Sequence, residues 1–115
     1  MAVIRVGIMP QEKIRELTIK IAKGEIKRTR NMPTVWFPSL KHASEVLSDH
    51  NRELLHAIKN QKPQSIRELA EITNRKPNNV SRTINNMAKY GIVKVEKHNH
   101  RNVPIAMGTE FLIQM

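Results

Sequence analysis

SIRELAEITNRKPNNVSRTINNMAKYGIVKVEK, residues 65–97, contains two helix patterns in close succession. It opens with Ser65 and Glu68, an S-x-x-E capping box of the kind that starts a helix. Apolar residues follow at three- and four-residue steps until Asn74, a residue type that tolerates the left-handed backbone found at helix ends. These features predict a short helix over residues 65–73.

A longer helix is predicted over residues 77–90, after a turn through Arg75 and Lys76. Pro77 suits the first helical position, because its missing amide hydrogen would have no partner there. Gly91 then marks the end of the helix. The residues at helical spacing on its apolar side are Val80, Ile84, Met87 and Ala88.

The opposite side of this second helix is polar and free of carboxylates. No acidic residue lies between Asn74 and Val95, although that stretch contains five basic residues. A solvated helix normally carries both signs, whereas a face that approaches phosphates has to be cleared of carboxylates. Asn pairs bidentately with adenine and Arg with guanine in the major groove. The candidate DNA contacts on the helices and turn are Ser65, Arg75, Lys76, Asn78, Asn79, Ser81, Arg82, Asn85, Asn86 and Lys89.

Residues 92–106 predict a β-hairpin. IVKVEK, residues 92–97, alternates apolar and polar positions as a half-exposed strand does, and VPIAM returns after the polar tip HNHRN. A basic tip beside the second helix is placed to touch phosphate or the minor groove. Its candidate contacts are Lys97, His98, His100 and Arg101. Two histidines without a third ligand nearby are a weak metal signal, so we predict no metal site there.

Two helices, a short turn and a hairpin together predict a winged helix-turn-helix, an α+β fold whose second helix enters the major groove. The charge of the chain agrees, because a net +10 and a pI of about 10.4 favour a polyanionic partner. The net charge is +4 over residues 1–50 and +7 over residues 51–102, so the excess is concentrated at the motif. Double-stranded DNA is therefore the predicted partner.

The motifs S-I-R-E-L-A, N-N-V-S-R-T-I and K-Y-G-I-V resemble the DNA-binding core of MarR-like winged-helix regulators. With PSLKHASEVLSDHNRELLHAI before them and V-P-I-A after, residues 34–106 are similar to small prokaryotic DNA-binding proteins that often accompany a toxin. The resemblance implies a transcriptional repressor. The alternative it implies is an antitoxin that neutralises a protein toxin and autoregulates its operon. Related helices often carry acidic residues near their end, where this chain has Asn85, Asn86 and Lys89, so no base preference is carried over.

Upstream of this domain, residues 1–33 predict a strand–helix extension. AVIRVGIM, residues 2–9, reads as a strand, residues 10–23 as an amphipathic helix and residues 25–33 as a basic linker. In the TVWFP piece that follows, Trp36 is expected to anchor the chain onto the helical domain. The neighbouring Phe37 is expected to do the same, and serines 39 and 48 are predicted to cap two further helices.

The end of the chain, residues 107–115, predicts a third strand, EFLIQM. A lone N-terminal strand presents an exposed edge and needs a partner. The EFLIQM strand of the same chain or of a symmetry mate is one candidate, and a toxin is the other. We predict a homodimer with residues 2–22 and 109–114 in or near the interface.

The sequence also excludes several classes of protein. Without cysteine there is no disulfide and no thiolate metal site. Neither a signal peptide nor an apolar run of about 18 residues is present, which predicts a cytoplasmic protein with no membrane partner. No nucleotide-binding or hydrolase motif occurs, so we predict no enzyme and no cofactor. An RNA-binding module or a small ribonuclease remains an alternative, although few aromatic residues are available for base stacking.

Overall fold

A computed structural model describes residues 3–115, which form an α+β protein of five helices and five strands. The elements are β1 (Val3–Ile8), α1 (Gln11–Ala22), β2 (Val35–Phe37), α2 (Leu40–Val46), α3 (Asp49–Gln61), α4 (Ile66–Ile72), α5 (Pro77–Lys89), β3 (Val93–His98), β4 (Arg101–Ala106) and β5 (Glu110–Gln114). The predicted α+β class and the order of elements are confirmed. Ala2, the first residue of the predicted strand, lies outside the described residues.

Serine side chains begin three of the helices as predicted. In each case the hydroxyl oxygen accepts a hydrogen bond from the backbone amide three residues later, which satisfies a donor that has no partner within the helix. The pairs are Ser39 with His42 at 3.1 Å, Ser48 with Asn51 at 3.2 Å, and Ser65 with Glu68 at 3.0 Å.

The turns around α4 and α5 also have the predicted backbone. Asn74 has a φ of 54° and ends the α4 segment in the left-handed conformation. Pro77 is the first residue of α5, and Gly91 follows the helix with a φ of 79°. Local residue chemistry therefore sets both ends of α5.

The strands form two separate sheets. β3 and β4 make the antiparallel hairpin, whereas β2, β1 and β5 make a parallel sheet in that order. β1 is the central strand of its sheet, so both of its edges are paired. Of its predicted partners, β5 of the same chain pairs with it, from Val3 beside Glu110 to Gly7 beside Gln114. The pairing with β2 was not predicted, because a three-residue strand is too short to show a periodic pattern.

Trp36 covers the face of this sheet that points away from the main core. It lies beside Gly7 in the β1–β2 register, and a Cβ atom at Gly7 would sit 2.1 Å from the Trp36 ring. Phe37 is fully buried on the other face, among the helices. Phe37 therefore anchors β2 onto the helical part as predicted, whereas the same prediction for Trp36 is wrong, because adjacent strand residues point to opposite faces.

One hydrophobic core joins the helices to the parallel sheet. It runs from Val6 and Phe37 in the sheet, through Leu54 of α3 and Leu69 of α4, to Ile84 of α5. Each of the three predicted segments contributes one strand to the parallel sheet: β1 comes from residues 1–33, β2 from residues 34–106 and β5 from residues 107–115. Among residues 3–115, every helix is too short or too polar to span a bilayer.

Candidate nucleic-acid interface

Helix α5 separates apolar and polar residues onto opposite sides, as predicted. Val80, Ile84 and Met87 are 2%, 0% and 0% exposed and pack into the core. Asn78, Arg82, Asn85 and Lys89 are exposed on the other side. The burial of the first set holds the helix in place without using any polar side chain of the second set.

The far end of α5 is fixed to the parallel sheet by an aromatic cluster. The Tyr90 ring packs on Phe37 with 4.6 Å between ring centroids. The Tyr90 hydroxyl also hydrogen-bonds to Nε2 of His42, on α2. These contacts tie the helix at its C-terminal end, so its polar face has a defined orientation on the protein.

Most of the predicted contact residues lie on the surface. Those that are exposed are Lys76, Asn78, Asn79, Arg82, Asn85, Asn86, Lys89, Lys97, His98, His100 and Arg101. The three that are half-buried are Ser65, Arg75 and Ser81. The exposed set is therefore available to a ligand without any rearrangement of the core.

An open groove runs between the start of α3 and the polar side of α5. Its lining is Asn51, Arg82, Thr83, Asn85, Asn86 and Lys89, so no acidic side chain of the described residues lines it. Sequence reasoning missed Asn51. Its Nδ2 donates to the Val46 carbonyl at 3.0 Å, which fixes the side chain at the edge of the groove. Only the packing of α3 beside α5 brings it there, and the sequence carries no signal for that.

A second cleft lies between α4, α5 and the hairpin. It brings together three predicted residues from three elements: Ser65 at the start of α4, Ser81 on α5 and Arg101 on β4. Arg67, on α4, and Asn102, on β4, also line it and were not predicted. Glu68 and Glu71 occupy the α4 wall. An anionic chain is therefore expected to pass on the side of Ser81 and Arg101.

Arg75 already has polar partners within the protein. Its Nη2 donates to the His50 carbonyl at 3.1 Å and lies 3.4 Å from Oε2 of Glu53. The Arg75 side chain is only 17% exposed. These intramolecular contacts argue against Arg75 as a DNA contact. The sequence shows that Arg75 is charged. It does not show that Glu53, 22 residues away, lies beside its guanidinium group.

The two strands of the hairpin reach closer to its tip than predicted, and the turn between them is tighter. Its strands extend to the pair His98 and Arg101, so the tip is only Asn99 and His100, with φ values of 51° and 67°. Two left-handed residues in succession are typical of tight type I′ hairpin turns. Lys97 and Arg101 therefore lie on paired strands close to the tip.

Some basic residues of the hairpin lie beside the acidic residue Glu96, and others do not. Glu96 lies 3.3 Å from Nζ of Lys94, so it offsets the positive charge of that lysine, and it also lies 3.6 Å from Nε2 of His98. Lys97 and Arg101 have no acidic partner within residues 3–115. They are accordingly the strongest candidates on the hairpin for contact with an anion.

The fold and this surface define a small α+β protein with a basic, polar face formed by α5 and the β3–β4 hairpin. The chain belongs to the HVO_A0114 family, whose model matches residues 46–112, more than half of its length. That designation names no function, so the resemblance to MarR-like regulators stays a prediction. No curated protein and no solved structure matches the chain.

Proposed function

We propose that this protein is a sequence-specific double-stranded DNA-binding regulator of transcription, acting as a repressor. In this proposal α4 and α5 form a helix-turn-helix and the β3–β4 hairpin forms its wing. The observation that carries it is the carboxylate-free polar side of α5, which is exposed while Val80, Ile84 and Met87 on the opposite side are buried. A major groove about 12 Å wide admits one such helix.

The residue types on α5 support base recognition as well as charge attraction. Asn78 and Asn85 each offer the donor and acceptor pair that matches adenine, and Arg82 offers the fork that matches guanine N7 and O6. The buried opposite side of the helix holds their backbone in place, so the backbone needs little ordering on binding. A purely electrostatic surface would need lysines and arginines and gains nothing from the asparagines.

Phosphate contacts are assigned to the elements that flank α5. Lys76 precedes the helix, and Lys97 and Arg101 are exposed on the hairpin with no acidic partner in the described chain. Ser81 and Arg101 line the cleft between α5 and the hairpin. Such contacts set the position of a protein on the duplex, while base contacts supply specificity.

The test begins with selection of preferred sites from a random DNA pool, followed by binding measurements on the selected duplex and a scrambled duplex. Asn78→Ala and Arg82→Ala should each weaken binding to the selected site by about 1–3 kcal/mol and leave binding to scrambled DNA nearly unchanged. Matched controls are Asn60→Ala and Arg15→Ala, which remove the same side chains from exposed positions on α3 and α1. They should change neither affinity.

Two results would contradict the proposal. One is a pool from which no sequence is enriched, and the other is unchanged affinity of both α5 variants for an enriched site. A preference for single-stranded RNA over duplex DNA in the same assay would favour the RNA-binding alternative.

A further inference from the structure

The two edges of the parallel sheet differ in their protection. β2 is only three residues long and Pro38 follows it at once, so it offers little edge for another strand. β5 is five residues long and contains no lysine, arginine or proline. Within the described chain no strand covers its outer side. An unprotected edge of this kind is a template for pairing with another chain.

Apolar side chains are exposed along β5 on both faces of the sheet. Leu112 and Ile113 are each 44% exposed, although both lie in a regular strand. Leu112 pairs with Arg5, which lies two residues from Val3 on β1, so Leu112 and Val3 are on the same face of the sheet. Val3 is itself 49% exposed. Exposed apolar residues beside a free edge indicate a surface that is covered in the assembled protein.

A groove lies beside β5 on the side of the sheet that faces the helices. It is lined by Leu47, Phe111 and Ile113, with Arg52 and His56 at its polar margin. When a strand is added to a sheet edge, alternate side chains of the new strand point to the same face. The groove is therefore placed to receive every second side chain of a strand that pairs with β5.

We propose that β5 pairs with β5 of a second copy of this chain, antiparallel, about a two-fold axis at Leu112. This register overlaps all five residues of each strand. It sets Phe111 opposite Ile113 of the second copy, on the groove side. It also sets Glu110 opposite the neutral Gln114 of the second copy, so no like charges face each other. Two three-stranded sheets then become one sheet of six strands. The pairing does not depend on DNA binding.

A second copy fits this edge because the strand is its own complement. Around the axis, Leu112 meets Leu112 of the second copy on the outer face, and a phenylalanine–isoleucine pair fills each groove on the inner face. A C2 interface requires this self-complementarity, whereas a different partner protein would not.

The first experiment is sedimentation equilibrium of the full chain at micromolar concentration, without DNA. The wild type should be a dimer. Leu112→Lys places a charge at the axis and should raise the dissociation constant at least about 100-fold, giving a monomer. The matched control is Leu40→Lys, the same change at a position on α2 that is 48% exposed. It should remain a dimer, and circular dichroism should show both variants folded.

The second experiment uses the absence of cysteine from the chain. In antiparallel strands, directly opposed Cα atoms lie about 4.5–5.5 Å apart, within the range of a disulfide. Leu112→Cys should therefore crosslink to a covalent dimer under mild oxidation, and Leu40→Cys should not. A monomeric wild type would overturn the proposal. So would a dimer that survives Leu112→Lys, or one that fails to crosslink at position 112.

Discussion

The salt dependence of DNA binding should report on the hairpin in a quantitative way. Lys97 and Arg101 are exposed, lie on paired strands and have no acidic partner among residues 3–115. Each phosphate that a cation neutralises contributes about −0.9 to the slope of log affinity against log salt concentration. Replacing both residues by alanine should therefore flatten the slope by about 1.8 for each bound copy.

This change is large enough to measure on a random duplex. Between 50 and 200 mM salt, a difference of about 1.8 in slope makes the affinity loss of the wild type roughly 12-fold greater than that of the double variant. Fluorescence anisotropy with a labelled duplex at four or five salt concentrations gives both slopes. The control is Arg15→Ala with Lys41→Ala, which removes two exposed cations from α1 and α2.

The comparison distinguishes direct contact between the hairpin and phosphates from an effect of the net charge of the protein. If the hairpin touches phosphate, the hairpin variant flattens the slope and the control does not. Equal flattening by the two double variants would show that net charge alone matters, and an unchanged slope would show that the hairpin is not in contact with DNA. Either result would refute the assignment of the hairpin as a wing.

Two further predictions concern the scaffold. Gly7→Ala should destabilise the protein by about 1–3 kcal/mol, because the new Cβ would lie 2.1 Å from the Trp36 ring. In a double-mutant cycle measured by urea unfolding, Trp36→Leu should reduce this loss of stability. Equal penalties in both backgrounds would argue against that contact. Arg75→Ala should lower the free energy of unfolding by about 1 kcal/mol and leave the salt slope of DNA binding unchanged, because the guanidinium is held by Glu53 and the His50 carbonyl. A flatter slope would return Arg75 to the set of DNA contacts.

Local signals in the sequence predicted the α4–α5 region well. The Ser65 cap, the left-handed Asn74 and the Gly91 stop each depend on the chemistry of a few neighbouring residues, and the structure confirms all three. The buried and exposed sides of α5 followed from helical periodicity, because Val80, Ile84 and Met87 of its apolar stripe pack against one core, whereas Ala88 is half-buried.

Features that depend on distant residues could not be predicted in the same way. β1 and β5 are separated by most of the chain, and nothing in either strand shows that they pair in parallel or that β2 joins them. The same holds for Arg75, whose neutralising glutamate lies on another helix, and for Asn51, which reaches the groove beside α5 only through packing.

Methylation interference on the selected DNA site asks whether α5 enters the major groove. Guanine N7 lies in that groove, where Arg82 would bind it. Wild-type binding should be blocked by N7 methylation at one or more guanines of the site, and Arg82→Ala should be insensitive at those same guanines. Wild-type binding that is indifferent to methylation at every guanine N7 of a guanine-containing site would contradict the placement of this helix.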